Sequence, residues 1–251
     1  MRNRKKKNGE NRLMNLSSLI ISAEETDDLP SSAGFETGTP LRLEIGCGKG
    51  DFITGLANKE PGYGYIAVER VPDVALIAIE KYAHSRGLGK LGDHGEWITP
   101  DGILLKGTRW DIPRELSGNV RFFVGKAEEF LEYAPHDSFA GIYLNFSDPW
   151  TKKGYASRRL THPSYLKKYA SILDREGKLF VKTDNDGLFD FTLDSLDAEG
   201  WGVEYMTRDL HSPSVRAEIR TSNVMTEYEK KFTEQGIPIK YLIASPPPGI
   251  I

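Results

Sequence analysis

A chain of 251 residues is long enough for one well-packed α/β domain and short for two full ones. Its 39 % hydrophobic and 27 % charged content excludes a disordered chain, and no apolar run approaches the ~20 residues that a membrane span requires. A formal charge of −3 excludes a uniformly basic nucleic-acid binder, and the lone cysteine, Cys47, excludes an intrachain disulfide, which fits a cytoplasmic protein.

The first forty residues are polar and rich in Ser, Gly and Pro and read as a flexible arm, although Leu16-Ser-Ser-Leu-Ile-Ile-Ser22 is apolar enough to dock locally. The arm starts basic, with Arg2, Arg4, Lys5, Lys6, Lys7 and Arg12 against Glu10 alone, and lacks the apolar core of a secretory signal. From Leu41 the pattern alternates: strand 41–45, helix 50–59, strand 64–69, helix 72–85, strand 120–124, helix 127–133, strand 139–145, helix 163–173, strand 178–183 and helix 186–198. Such alternation predicts a Rossmann-like domain over 41–251, a mostly parallel sheet with helices on both faces. Tyr228 to Phe232 and Ile239 to Ile243 read as two further strands joined by a turn, closing the sheet with an antiparallel C-terminal edge. Residues 86–119 interrupt the rhythm with seven glycines and form an insertion or lid candidate, in which Glu96-Trp-Ile-Thr99 and Gly102-Ile-Leu-Leu105 can pair about Pro100-Asp101.

Chemistry enters at Leu41-Arg-Leu-Glu-Ile-Gly-Cys-Gly-Lys-Gly-Asp51, where an apolar strand carrying Glu44 runs into Gly46, Gly48 and Gly50. A turn of this kind lets a ligand approach the main chain, and the helix after it offers free N–H groups. Glu69, with Arg70 beside it, closes the next strand about 20 residues on, where a carboxylate meets a ribose diol. The pair points to an adenosine-containing cofactor, and the GxGxG spacing leans to S-adenosylmethionine. Cys47 reads as a small residue between glycines rather than a nucleophile.

In an open α/β sheet the ligand crevice lies at the carboxyl ends of the strands, where Asn145-Phe-Ser-Asp-Pro-Trp150, Lys182-Thr-Asp-Asn185 and Met225-Thr-Glu-Tyr-Glu229 fall. Each also has a plain structural account: Asp-Pro forms turns, Thr-Asp-Asn caps helices, and Glu227 suits an outward strand position. Between Asp148 and Asp174 there is no acidic residue, while Lys152, Lys153, Arg158, Arg159, Lys167 and Lys168 fall there, an expected track for phosphates. The five histidines show no metal-ligand spacing.

With these motifs in hand, the chain from about Leu41 to Tyr241 resembles the bacterial tRNA (guanine-N7)-methyltransferases, which use S-adenosylmethionine. The resemblance rests on Glu44-Ile-Gly-Cys-Gly-Lys-Gly50, Tyr143-Leu-Asn-Phe-Ser-Asp-Pro-Trp150 with Lys152-Lys153 and Arg158-Arg159-Leu160, Lys182-Thr-Asp-Asn185, and Met225-Thr-Glu-Tyr-Glu229. It implies a cofactor site at Glu44, Gly46, Gly48, Gly50, Glu69, Arg70, Lys126, Ala127, Asn145 and Asp148, with Asp148 catalytic. Lys152, Asp184, Thr226, Glu227, Tyr228 and Glu229 would contact tRNA. It further implies a variable-loop guanine as target, extruded to reach the cofactor, with Trp150 a stacking platform or packed under its loop. No metal and no membrane are expected, and the protein is expected as a monomer or homodimer. Gly125-Lys126-Ala127-Glu128 departs from the family, which commonly has an acceptor for the adenine amino group there; lysine has none. Two other readings stay open: a same-fold methyltransferase with another acceptor, which product analysis would show, and a silent RNA-binding partner subunit, which would bind no cofactor.

Overall fold

The computed structural model describes residues 6–248. In chain order its elements are α1 (Gly9–Asn15), β1 (Leu41–Ile45), α2 (Asp51–Lys59), β2 (Gly64–Glu69), α3 (Pro72–Ser85), β3 (Lys90–Leu91), β4 (Trp97–Ile98), β5 (Leu104–Leu105) and α4 (Arg114–Ser117). There follow β6 (Val120–Val124), α5 (Ala127–Tyr133), β7 (Phe139–Asn145), α6 (Pro163–Ile172), β8 (Leu173–Thr183), α7 (Asp186–Ala198), β9 (Gly202–Thr207), α8 (Ala217–Ser222), α9 (Glu227–Glu234) and β10 (Lys240–Ser245). Seven strands form one sheet in the order β6-β2-β1-β7-β8-β10-β9, and β3-β4-β5 form a second. The pairs β2–β6, β1–β7 and β7–β8 are parallel, while β10 runs antiparallel to both β8 and β9. Two compact units result, one of the chain up to Pro40 with Gly46–Ala134, the other of Leu41–Ile45 with the chain from Pro135 onwards.

In the first unit β2 is buried at every position, the pattern of a parallel strand covered on both faces. α2 buries Phe52, Ile53, Leu56 and Ala57, a stripe at helical spacing, and α3 opens on a proline, whose missing N–H costs nothing in a first turn. Gly50 precedes α2 with φ 79°, and a Cβ there would lie 2.8 Å from the Ala78 Cβ on α3. Gly50→Ala combines left-handed strain of roughly 1–2 kcal/mol with an overpacking cost of roughly 1–3 kcal/mol. A clearly lowered thermal midpoint is therefore expected, and an unshifted melt would show that the two helices part without cost.

The flexible arm expected over 1–40 gives way to packed structure in its described part, and Arg2, Arg4 and Lys5 lie outside the described residues. Leu16 and Leu19 are fully buried, and Ile20 bridges to Phe122. Each buried leucine supplies roughly 1.5–3 kcal/mol against the entropy of ordering the segment. Arg12 makes a two-pronged pair with Glu80 at 2.8 and 2.7 Å, so part of the basic start is committed to α3 rather than to an RNA. The expected hairpin of the insertion is present as β4–β5, with β3 as a third strand. Asn15 fastens it: its Nδ2 donates to Leu105 O, and its Oδ1 accepts from the N–H groups of Gly107 and Thr108.

In the second unit α6 and α7 bury Leu166, Tyr169, Leu188 and Phe189, and α7 is capped by Asn185, whose Oδ1 accepts from Leu188 N at 2.8 Å. The plain reading of Thr-Asp-Asn as a helix cap therefore holds for Asn185. The tail departs from expectation. Tyr228 to Phe232 is not a strand but lies in α9, because Thr226 caps a helix by accepting from Glu229 N at 2.9 Å. The strand pairing with β10 on its far side is β9, whose largely exposed residues gave little alternation to read.

Candidate active site

The first unit holds the glycine turn. Gly46, Gly48 and Gly50 have φ of 78°, 57° and 79°. The Gly46 and Cys47 N–H groups donate to Val68 O at 2.8 and 3.0 Å, which ties the turn to β2. A Cβ added at Gly46 or Gly48 would meet nothing within 4 Å, so the open side of the turn can receive a ligand, whereas Gly50 serves helix packing. Cys47 is buried, as its small size between glycines suggested.

Glu69 is brought to this turn. Its Oε2 accepts from Gly48 N at 3.1 Å and its Oε1 from Val71 N at 2.9 Å. The Arg70 backbone N–H also reaches this carboxylate, whose remaining lone pair can accept from a ribose hydroxyl. Burial raises the Glu69 carboxyl above the ordinary glutamate range, with the Val71 and Gly48 N–H groups and the Arg70 charge opposing it. A diol donates more strongly to the ionised form than to the protonated one, so cofactor affinity is expected to fall with falling pH, starting above the pH at which an ordinary glutamate takes a proton. Titration calorimetry with S-adenosylhomocysteine across that range tests this; a profile as flat as that of Glu69→Gln would remove Glu69 from the ribose. Arg70 and Lys126 are exposed, and Ala127 is the buried first residue of α5. The Lys126 N–H donates to Glu129 Oε2 at 3.1 Å, which closes half of a capping box.

The second unit holds the rest. Glu44 on β1 and Asn145 at the end of β7 meet across neighbouring strands, Asn145 Nδ2 donating to Glu44 Oε1 at 2.9 Å, and both are buried. Past Asn145 the chain makes a tight loop with Phe146 at φ 53° and Trp150 at φ 41°. Two bulky residues in the left-handed region cost of order 1–3 kcal/mol each and persist only where surroundings hold them. Arg159 does so, its Nε donating to Pro149 O at 2.9 Å and its Nη2 to Trp150 O at 3.3 Å. Its guanidinium lies 4.3 Å from the Phe191 ring centroid. This clamp revises the expected phosphate track: Arg159 is structural and Lys167 faces Glu199 at 3.6 Å, while Lys152, Lys153 and Arg158 remain exposed. Arg158 lies over both Trp150 and Tyr155, so the Trp150 ring is partly covered. Asp148 projects from the held loop and is exposed.

Glu229, among the expected substrate contacts, lies in the core. It is fully buried, its Oε2 accepting from Lys182 Nζ at 3.0 Å and its Oε1 from Asn223 Nδ2 at 2.6 Å. Lys182 Nζ also donates to the Asn223 side chain and to Val224 O. His211 Nε2 lies 3.0 Å from Glu229 Oε1 without the alignment of a hydrogen bond. Burial pulls the Lys182 ammonium below the ordinary lysine range, and the Glu229 charge pushes back. Thr226 is likewise buried in its cap, whereas Glu227 and Tyr228 are exposed and Asp184 is half-buried. Sequence reasoning missed Asn223 and His211, which no motif marked, and the clamp role of Arg159.

A mostly parallel sheet ordered β6-β2-β1-β7-β8-β10-β9, an open glycine turn and an acidic residue closing β2 define the class of S-adenosylmethionine-dependent methyltransferases. Residues 38–242 match the model of a methyltransferase family. A tRNA (guanine-N(7)-)-methyltransferase of Clostridioides difficile (strain 630) is 32% identical over 95% of this chain and 96% of its own. One of Lactobacillus gasseri is 39% identical over 82% of this chain and 80% of its own. The solved structure of an antibiotic-related methyltransferase shares the fold, with TM-score 0.52 and 16% identity over 92% of this chain and 97% of that one. The chain belongs to the tRNA (guanine-N(7)-)-methyltransferase family.

Proposed function

We propose that this protein methylates N7 of a guanine in the variable loop of tRNA. The observation that carries the reading is the family kinship over 95% of the chain. S-adenosylmethionine, when bound, supplies a methyl group on a positively charged sulfur. The open turn at Gly46 and Gly48 would admit it and Glu69 would take a ribose hydroxyl, with Arg70, Lys126 and Ala127 of the first unit and Glu44, Asn145 and Asp148 of the second as the further candidate contacts.

Guanine N7 has an in-plane lone pair and no proton, so its attack needs no general base. The residues then have two tasks. Positioning N7 in line at near-attack distance can lower the barrier by ~7–11 kcal/mol. A carboxylate near the base gains attraction as N7 becomes cationic, which favours the transition state over the ground state. Asp148 is the first candidate and Asp184 the second; Glu229, its charge balanced by Lys182, drops out. A lysine on N7 would occupy its lone pair, so Lys152 belongs on a phosphate or on O6.

Incubation of the protein with unmodified tRNA and labelled S-adenosylmethionine, followed by nucleoside analysis, tests the reading. N7-methylguanosine at one variable-loop position is the expected product. Label on another nucleoside would reassign the acceptor, and absence of both transfer and cofactor binding would make the chain a silent RNA-binding partner.

A further inference from the structure

Tyr228 is the most exposed of the large hydrophobic side chains described, at 58 %, yet it stands on built ground. Its ring stacks on Phe146, with centroids 6.3 Å apart and planes at 25°, and on Phe232 at 27°. Phe146 and Phe232 stack on each other at 5.9 Å and pack against the buried cluster of Leu210, Val215 and Ile239. The residue at the base of this stack is the strained Phe146, whose N–H donates to Lys182 O at 2.9 Å and which lies two positions before Asp148. The segment bearing Tyr228 is fixed from the other side by Thr226 and by the Lys182–Glu229–Asn223 network. An aromatic stack with one exposed member, its base on the loop that carries a candidate carboxylate, is what an unstacked purine needs to lie on.

We propose that the Tyr228 ring, backed by Phe146 and Phe232, is the platform for the target guanine and a catalytic residue of the reaction; this rests on the functional reading above. As N7 takes the methyl, the N7–C bond forms, the S–C bond breaks, and the positive charge passes from sulfur to the guanine ring system with no proton moved. A ring face attracts a cation more than a neutral base, so the platform binds the methylated, cationic guanine more tightly than the guanine that enters. The stack is thereby electrostatic as well as positional.

The test is the single-turnover rate of methyl transfer to tRNA, which excludes product release. Tyr228→Phe should lose far less of the rate than removal of the ring does, since the face is retained. Tyr228→Leu should lose roughly tenfold and stay folded, with only a small drop in thermal midpoint from the lost stacking on Phe146 and Phe232. Phenylalanine bearing one, two or three fluorines at this position should lower the rate stepwise, because fluorine drains the ring face while keeping its shape. A wild-type rate for Tyr228→Leu would overturn the platform, and a flat fluorine series would overturn its electrostatic role. Both readouts require N7-methylguanosine from the wild-type protein; its absence there would overturn the functional reading itself, and this inference with it.

Discussion

Asp148→Ala is expected to abolish methyl transfer while leaving the melting curve where it was. Asp148 is exposed on a loop that contains the left-handed Phe146 and Trp150 and is held by two Arg159 hydrogen bonds to Pro149 O and Trp150 O. Both Arg159 hydrogen bonds go to backbone oxygens and remain available when the Asp148 carboxylate is removed. The chemical loss should be large. A carboxylate ~4 Å from the developing charge at an effective dielectric of ~20 contributes roughly 4 kcal/mol. That corresponds to about three decades in rate. Asp148→Asn keeps the shape and removes the charge, so most of the loss should remain in it. Single-turnover rates beside thermal melts of the three proteins would decide; activity within a few-fold of wild type in Asp148→Asn would take charge at this position out of the mechanism.

Periodicity made the sheet readable because parallel strands are buried on both faces: β2 and β7 are near-continuous apolar runs, and each is bounded by Gly, Pro or Asp. Failures came where one local signal had two meanings. Thr226-Glu-Tyr-Glu229 is both a plausible outward strand and a helix start with a threonine cap and glutamate three residues on, and only the pairing of β10 with β9 removes the first meaning. The arm was legible in part: polar composition is an average, and the apolar Leu16-Ser-Ser-Leu-Ile-Ile-Ser22, expected to dock locally, does so through Leu16 and Leu19. At the site, the glycine turn and Glu69 were legible because backbone conformation and chain spacing dictate them. The partners of Glu229 were not, since Lys182, Asn223 and His211 come from three stretches that only the fold brings together.

The largest effect on stability should come from splitting that buried pair. Lys182 and Glu229 are 5 % and 0 % exposed, so removing either charge strands the other away from water. Losses of roughly 3–5 kcal/mol are typical of such a break. For a chain of this size each kcal/mol moves the thermal midpoint by about 2–4 °C, so Glu229→Leu and Lys182→Met should each melt roughly 6–20 °C lower. The double variant strands neither member of the pair but still takes the Lys182 charge from buried Glu44, so it should melt above Lys182→Met. Its activity should not return with its stability. Lys182 Nζ also holds the Asn223 side chain and Val224 O, and Glu229 takes the Asn223 amide, so the double variant loosens the segment that presents Glu227 and Tyr228. Recovery of methyl transfer along with the midpoint would reduce the pair to packing. A stable double variant that binds S-adenosylhomocysteine but transfers slowly would identify the pair as what positions the substrate side of the site, and single variants that melt with the wild type would show that neither charge was stranded.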